Sequence, residues 1–204
     1  MSSAAALDAV TIDGYGTLLE LSDPVGELRA LLPDHAPEEI ERAFRAEAEY
    51  YVAHTIDARD EPGLARLHAE CTGVFNDALG SSLSPEQYVG ALRFEILPGV
   101  VEALGRLQAS GLALAVVANW DYGLHGHLER HGLASWFGAV VTSAETGTKK
   151  PDPRPFLVAL ERLGVDPRRA VHVGDHAPHD EVGARAAGLR FEPAPLAAAA
   201  ERLL

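Results

Sequence analysis

Four short apolar runs alternate with helical patterns through the second half of the chain, and this alternation restricts the fold more than any other feature. The runs lie at 112–118, 139–141, 170–173 and, more weakly, 189–191. Between them, Val100, Val101, Leu104 and Leu107, then Phe156, Leu157, Leu160 and Leu163, recur at the spacing of one helix face. Each helical pattern exits through glycine followed by an apolar residue: Gly111-Leu112, Gly132-Leu133, Gly164-Val165 and Gly188-Leu189. Glycine suits the left-handed position that closes a helix, and the next residue opens the following element. Asp152-Pro153 and Asp166-Pro167 have the form of helix starts, a capping acid before a proline. Strand–helix alternation of this kind predicts a doubly wound α/β fold, a parallel sheet covered on both faces. A first strand at 9–13, with Val10 and Ile12 as its apolar members, completes it.

Between that strand and the next lies a stretch of different texture. Ile40, Ala43, Phe44, Ala48, Tyr51 and Val52 follow helical spacing, as do Leu64, Leu67, Cys71, Val74, Phe75, Ala78 and Leu79. Ser84-Pro85-Glu86-Gln87 reads as a capping box opening a third helix. The expected organisation is an α/β core of residues 1–18 and 96–204, with a helical insert at 19–95. A terminal helix is expected at 196–200.

Composition narrows the partners. The chain has 204 residues, 47% of them hydrophobic, and a formal charge of -13, which argues against nucleic acid and anionic membranes as partners. The lone Cys71 fits a reducing compartment, and no apolar run has the length of a bilayer span. Met1 to Leu7 lack the basic start and apolar stretch of a leader, so a cytoplasmic location is expected. Nothing in the sequence sets the oligomeric state.

In an open parallel sheet, ligands bind beyond the carboxyl ends of the strands. Four segments should converge there: Asp13-Gly14-Tyr15-Gly16-Thr17-Leu18, Asn119-Trp120-Asp121, Lys149-Lys150-Pro151-Asp152-Pro153, and Gly174-Asp175-His176-Ala177-Pro178-His179-Asp180. Asp13 would sit on a glycine-lined turn where backbone N–H groups can approach an anion. The Thr17 hydroxyl, the Asn119 amide and the fixed charge of Lys150 suit a group with negative oxygens. Asp13, Asp175 and Asp180 would repel one another beside a single lysine. A divalent cation resolves that, and an all-oxygen set points to Mg2+. With such a cation, Asp13 can act as a nucleophile and form an acyl-phosphate.

In order and spacing these four segments resemble the four motifs of the haloacid dehalogenase superfamily, and the insert resembles that family's cap between motifs one and two. The resemblance covers almost the whole chain and implies a Rossmann-like core. It makes Asp13 the nucleophile, Lys150 the group that steadies it, and Asp175 and Asp180 metal ligands, with the Tyr15 carbonyl also facing the metal. It leaves Gly16, Thr17 and Asn119 to bind substrate. Most relatives with such a cap are Mg2+-dependent phosphatases of small phosphorylated metabolites, which is the activity expected here. Two positions depart from that pattern. Tyr15 stands where phosphatases carry a second aspartate as general acid and base, and Ala118 stands where a serine or threonine is usual. Tyrosine in that place resembles the 2-haloacid dehalogenase branch, the alternative reading, in which Asp13 attacks carbon without a metal. A third reading is a non-catalytic phosphate- or partner-binding protein.

Other polar residues carry blander expectations. His172, His176 and His179 flank the acidic pair as surface imidazoles or transition-metal ligands. His125, His127, His131 and Lys149 are expected in solvent, and Trp120 and Cys71 in packing.

Overall fold

The computed structural model describes residues 6–204, so most of the segment read for a leader lies outside the described residues. Strand β1 (Ala9–Ile12) runs through a tight turn into the short β2 (Leu19–Leu21). Four helices follow, α1 (Pro24–Leu31), α2 (Pro37–His54), α3 (Glu61–Leu79) and α4 (Pro85–Ala91), before β3 (Phe94–Ile96) pairs antiparallel with β2. From there strands and helices alternate: α5 (Val100–Ala109), β4 (Ala113–Ala118), α6 (Leu124–Arg130), β5 (Ala139–Thr142) and the single turn α7 (Ser143–Thr146). The chain ends with α8 (Arg154–Leu163), β6 (Ala170–Gly174), α9 (Asp180–Ala186), β7 (Arg190–Pro193) and α10 (Leu196–Leu203).

The main sheet has the order β5-β4-β1-β6-β7, and every pairing in it is parallel. Alternate side chains therefore enter two apolar layers. Val10, Ile12, Leu114, Val116, Val171 and Val173 pack with Leu104 and Leu107 of α5, Leu128 of α6 and Leu196 of α10. Ala9, Ala115, Val117 and Ala170 pack with Phe156, Ala159 and Leu160 of α8 and Ala184 of α9. Burying a Leu or Phe side chain contributes about 1.5–3 kcal/mol, so these two layers hold helices to both faces of the sheet. The fold is doubly wound α/β, as the alternation predicts.

The four helices between β2 and β3 carry an apolar cluster of their own, in which Leu28, Ile40, Phe75 and Tyr88 are buried. The Ser84 capping box forms as expected, with Gln87 returning to the Ser84 N–H.

Several local expectations are corrected. Helix α1 is additional; it starts at Asp23-Pro24, where the Asp23 carboxylate accepts from the Gly26 N–H, the same acid–proline pattern read elsewhere in the chain. Asp166-Pro167 opens only a 3₁₀ turn. The β2–β3 ribbon was not expected, because three-residue strands carry too little periodicity to register. His127 and His131 are half-buried: the His127 ring packs on Phe94 and Trp120, and His131 Nε2 bonds the Phe94 carbonyl. Lys149 is likewise engaged, donating to the Val52 carbonyl in the last turn of α2.

Candidate active site

Strand β1 ends the apolar layer at Ile12 and presents Asp13 at the carboxyl edge of the sheet, its N–H bonded to the Val173 carbonyl at 2.9 Å. The turn beyond is drawn tight by the Gly14 carbonyl, which accepts from Leu18 and Leu19, and by Gly16 N–H to Leu19 O at 2.8 Å. Gly16 is required twice over. Its φ is +73°, and a Cβ there would run into the Asp175 carboxylate. The strand-to-helix turn after β6 brings Asp175 to that position, with its side chain exposed. Asp180, the first residue of α9, folds back under the same turn. Its Oδ2 accepts from the His176 N–H at 3.0 Å, and a Cβ on Gly174 would collide with it.

Lys150 arrives from the loop after α7 and is almost completely buried. Its Nζ donates to Asp13 Oδ1 at 2.5 Å and to Asp180 Oδ1 at 2.6 Å. Both ends of the Asn119 amide hold the lysine's backbone: Nδ2 donates to the Lys150 carbonyl at 3.1 Å, and Oδ1 accepts from the Lys150 N–H at 2.7 Å. Asn119 is thus engaged with the lysine through both polar atoms. The Thr17 hydroxyl is sealed from solvent with no hydrogen-bond partner among the described residues, while the Tyr15 ring points outward, half exposed, with its centroid 6.5 Å from that of Trp120. Of the residues singled out from sequence, Asp13, Lys150, Asp175, Asp180, Gly16 and Asn119 come together; the Tyr15 ring is half exposed, and the Thr17 hydroxyl is buried in the same turn.

Carboxylate oxygens of Asp13, Asp175 and Asp180 lie within 4.8 Å of one another. Burial pushes the Asp13 carboxyl above its ordinary pKa, and Asp180 adds to the rise, while Lys150 partly offsets it. Burial would raise Asp180 as well, but hydrogen bonds and charge from His172 and Lys150 override it and hold that carboxyl below the usual range. The same two carboxylates outweigh burial at Lys150 and keep its ammonium above its ordinary value. Three carboxylates against one ammonium leave a negative excess, and hard oxygen donors so arranged fit a divalent cation such as Mg2+.

Two contacts were not foreseen. His172 is fully buried in β6, with Nδ1 on Thr11 Oγ1 at 2.9 Å and Nε2 on Asp180 Oδ1 at 3.2 Å. It is neither a surface imidazole nor part of the acidic cluster; its place inside a wholly apolar run was the available signal. The other is Tyr51 of α2, whose hydroxyl donates to the buried Asp121 carboxylate at 2.9 Å, while Asp121 also accepts from the Gly123 N–H at 2.6 Å.

A family model for haloacid dehalogenase-like hydrolases matches residues 7–188. The chain belongs to that family. Haloacid dehalogenase-like hydrolase domain-containing protein 3 of Danio rerio is 34% identical over 195 residues, covering 87% of this chain and 81% of the Danio rerio protein. Among solved structures, the haloacid dehalogenase-family phosphatase from Thermococcus onnurineus has a TM-score of 0.61 at 25% identity, over 91% of this chain and 85% of its own. The 2-haloacid dehalogenase from Pseudomonas syringae pv. Tomato DC3000 has a TM-score of 0.60 at 26% identity, with the same coverages. The family therefore brings both a phosphatase and a dehalogenase into comparison, and the choice rests on the site.

Proposed function

We propose that this family member is a Mg2+-dependent phosphatase acting on small phosphorylated metabolites through an aspartyl-phosphate on Asp13. The observation that carries the reading is the cluster itself: three convergent carboxylates around one buried lysine. A 2-haloacid dehalogenase working without a metal has no use for three acids in close approach. A divalent cation held by Asp13, Asp175, Asp180 and the Tyr15 carbonyl would offset their charge and polarise the phosphoryl oxygens. Lys150 holds Asp13 Oδ1, and no hydrogen bond to Oδ2 is found among the described residues, so Oδ2 is the oxygen assigned to the attack. Asp13 attacks phosphorus as the ester P–O bond breaks, and the alkoxide leaves and takes its proton from solvent, since no acid stands two residues on. Lys150 steadies the charge that builds on the transferred group, and Asn119 keeps Lys150 in register. No carboxylate follows Asp13 two residues on, so the second step, attack of water on the aspartyl-phosphate, lacks a strong base and is slow.

We also assign residues 19–95 as a cap over residues 1–18 and 96–204. Its separate apolar cluster supports this, as do its contacts with the site loops: Tyr51 on Asp121, the Tyr122 N–H on the Ala58 carbonyl, and Lys149 on Val52. The β2–β3 ribbon is the double crossing between the two parts. Tyr15 favours the second reading, dehalogenation. Steady-state assays with p-nitrophenyl phosphate and with 2-chloropropionate, each with Mg2+ and with chelator, separate the two. Phosphate release that needs Mg2+ and vanishes in Asp13→Asn supports the phosphatase. Halide release that survives chelation establishes the alternative, and turnover of neither substrate leaves a binding protein.

A further inference from the structure

We propose that His172 is a positioning residue for this site: from the buried centre of β6 it fixes the Asp180 carboxylate, and through Asp180 the Lys150 ammonium, against Asp13. The inference deepens the phosphatase reading and rests on it for its activity measurement alone.

The face of the sheet that His172 occupies is otherwise built from Ala9, Ala115, Val117 and Ala170, packed under α8 and α9. The imidazole meets the Phe156 ring edge-on at a centroid distance of 4.8 Å, a contact that an aliphatic side chain would also satisfy. Packing therefore does not call for a histidine. Strand register sets Thr11 of β1 directly beside it, a second buried polar residue on the same face. Burying two polar side chains is unfavourable unless their donors and acceptors are matched. They are matched only by continuing outward: Thr11 Oγ1 to His172 Nδ1, His172 Nε2 to Asp180 Oδ1, Lys150 Nζ to Asp180 Oδ1, and Lys150 Nζ to Asp13 Oδ1. Because Asp180 accepts, the imidazole proton sits on Nε2, and the Thr11 hydroxyl donates to Nδ1. Asp180 is then held by three donors: His172 and Lys150 on one oxygen and the His176 N–H on the other. Without the imidazole, Oδ1 keeps Lys150 alone, and the carboxylate can turn, taking one of the two anchors of the ammonium with it. Orienting partners behind a ligand or reacting group typically matter about 10–100-fold.

The two lysines of the chain allow a direct test. In protein labelled with 15N at the lysine Nζ, the buried Lys150 ammonium should give a signal protected from solvent exchange. His172→Leu, which keeps the packing, should broaden or lose that signal, while His172→Gln, which restores an N–H near the same place, should keep it. With Mg2+ and p-nitrophenyl phosphate, His172→Leu should lower kcat about tenfold or more with little change in KM, and His172→Gln should recover most of it. Circular dichroism and thermal melting establish that each variant is folded. A folded His172→Leu protein with an unchanged Lys150 signal overturns the proposal, as does a glutamine variant as impaired as the leucine one. If His172→Leu fails to fold, Thr11→Val, a near-isosteric change one step back along the chain, should weaken the Lys150 signal, and an unaltered signal overturns the proposal equally. A wild type no faster than Asp13→Asn removes the phosphatase reading, and the lysine spectrum still decides the role of His172.

Discussion

Replacing Lys150 with methionine keeps most of the side-chain volume and removes the charge, leaving Asp13 and Asp180 buried and facing each other. The wild-type ammonium makes two charge-assisted hydrogen bonds, at 2.5 and 2.6 Å. Such bonds contribute about 1.5–3 kcal/mol each. Breaking a buried ion pair by deleting one partner costs about 3–5 kcal/mol, because the remaining charge stays buried without compensation. The expected loss for Lys150→Met is therefore about 3–5 kcal/mol at pH 7.5 in chelator, read from urea unfolding as a fall in midpoint at constant slope. Two changes of condition should shrink the deficit. Asp13 already has a pKa raised by burial, and losing Lys150 raises it further. The penalty of this carboxylate is thus greatest above its folded pKa and is relieved as pH falls and the group takes up a proton. Mg2+ should act in the same direction through tighter binding to the variant, whose acids no longer face a competing ammonium: at saturation each tenfold gain in affinity over wild type returns about 1.4 kcal/mol of the deficit. A deficit below about 1 kcal/mol in chelator would refute the reasoning about the uncompensated pair. A deficit that neither acid nor Mg2+ reduces would refute the assignment of the carboxylates as a cation site.

Burial lowers the His127 pKa to about 4, and the unfolded chain, with a pKa near ~6.5, takes up the proton first as pH falls. Stability should thus be fully present above pH ~6.5 and decline by about 2–3 kcal/mol toward pH 4, a slope that His127→Phe should flatten in urea midpoints measured across that range. Tyr51→Phe removes one of the two donors to the buried Asp121 carboxylate and should destabilise by about 1–3 kcal/mol, with faster limited proteolysis between residues 19 and 95. Tyr15→Asp, which supplies the carboxylate missing from the phosphatase pattern, should raise steady-state release of p-nitrophenol at least several-fold with Mg2+, and it should reduce halide release if the dehalogenase reading is correct.

The doubly wound core was legible because each of its signals is local and repeated. Apolar runs of strand length, glycine at helix exits and an acid before proline each report one element, and their alternation leaves a single layer arrangement. Asp13, Asp175 and Asp180 were legible as a group for the same reason, since parallel strands deliver all of their carboxyl-end loops to one crevice. What escaped were the relations between elements. Nothing along 112–121 indicates that the Asn119 amide is occupied by the Lys150 backbone, which only the fold brings beside it. His172 was read with the charged loop that starts three residues on, although Val171 and Val173 flank it in sequence and Thr11 and Phe156 adjoin it in space. His127 and His131 escaped likewise, since the β2–β3 ribbon that packs on them is too short to be read from periodicity.

The bias in cationic residues follows from the same geometry. The chain uses fifteen arginines and only two lysines, and the two lysines adjoin in the loop between α7 and α8. Arginine serves the exposed ion pairs, such as Arg45 with Glu41 and Arg168 with Asp166. A planar guanidinium on a long stem suits partners that lie side by side at the surface. The acids around Lys150 instead come from the end of β1 and the start of α9, and they must meet one point charge at 2.5 and 2.6 Å. A compact ammonium fits that gap; a guanidinium would force the carboxylates apart and, with them, the cluster that includes Asp175. Lys149 meets a related demand, donating to the Val52 carbonyl, one of the groups in the last turn of α2 that the helix itself leaves unsatisfied. Two adjacent residues thus hold the Asp13 carboxylate and the end of the proposed cap. If α2 moves away from the core, the contact of Lys149 with Val52 must stretch or break, and the loop that carries this contact also carries Lys150.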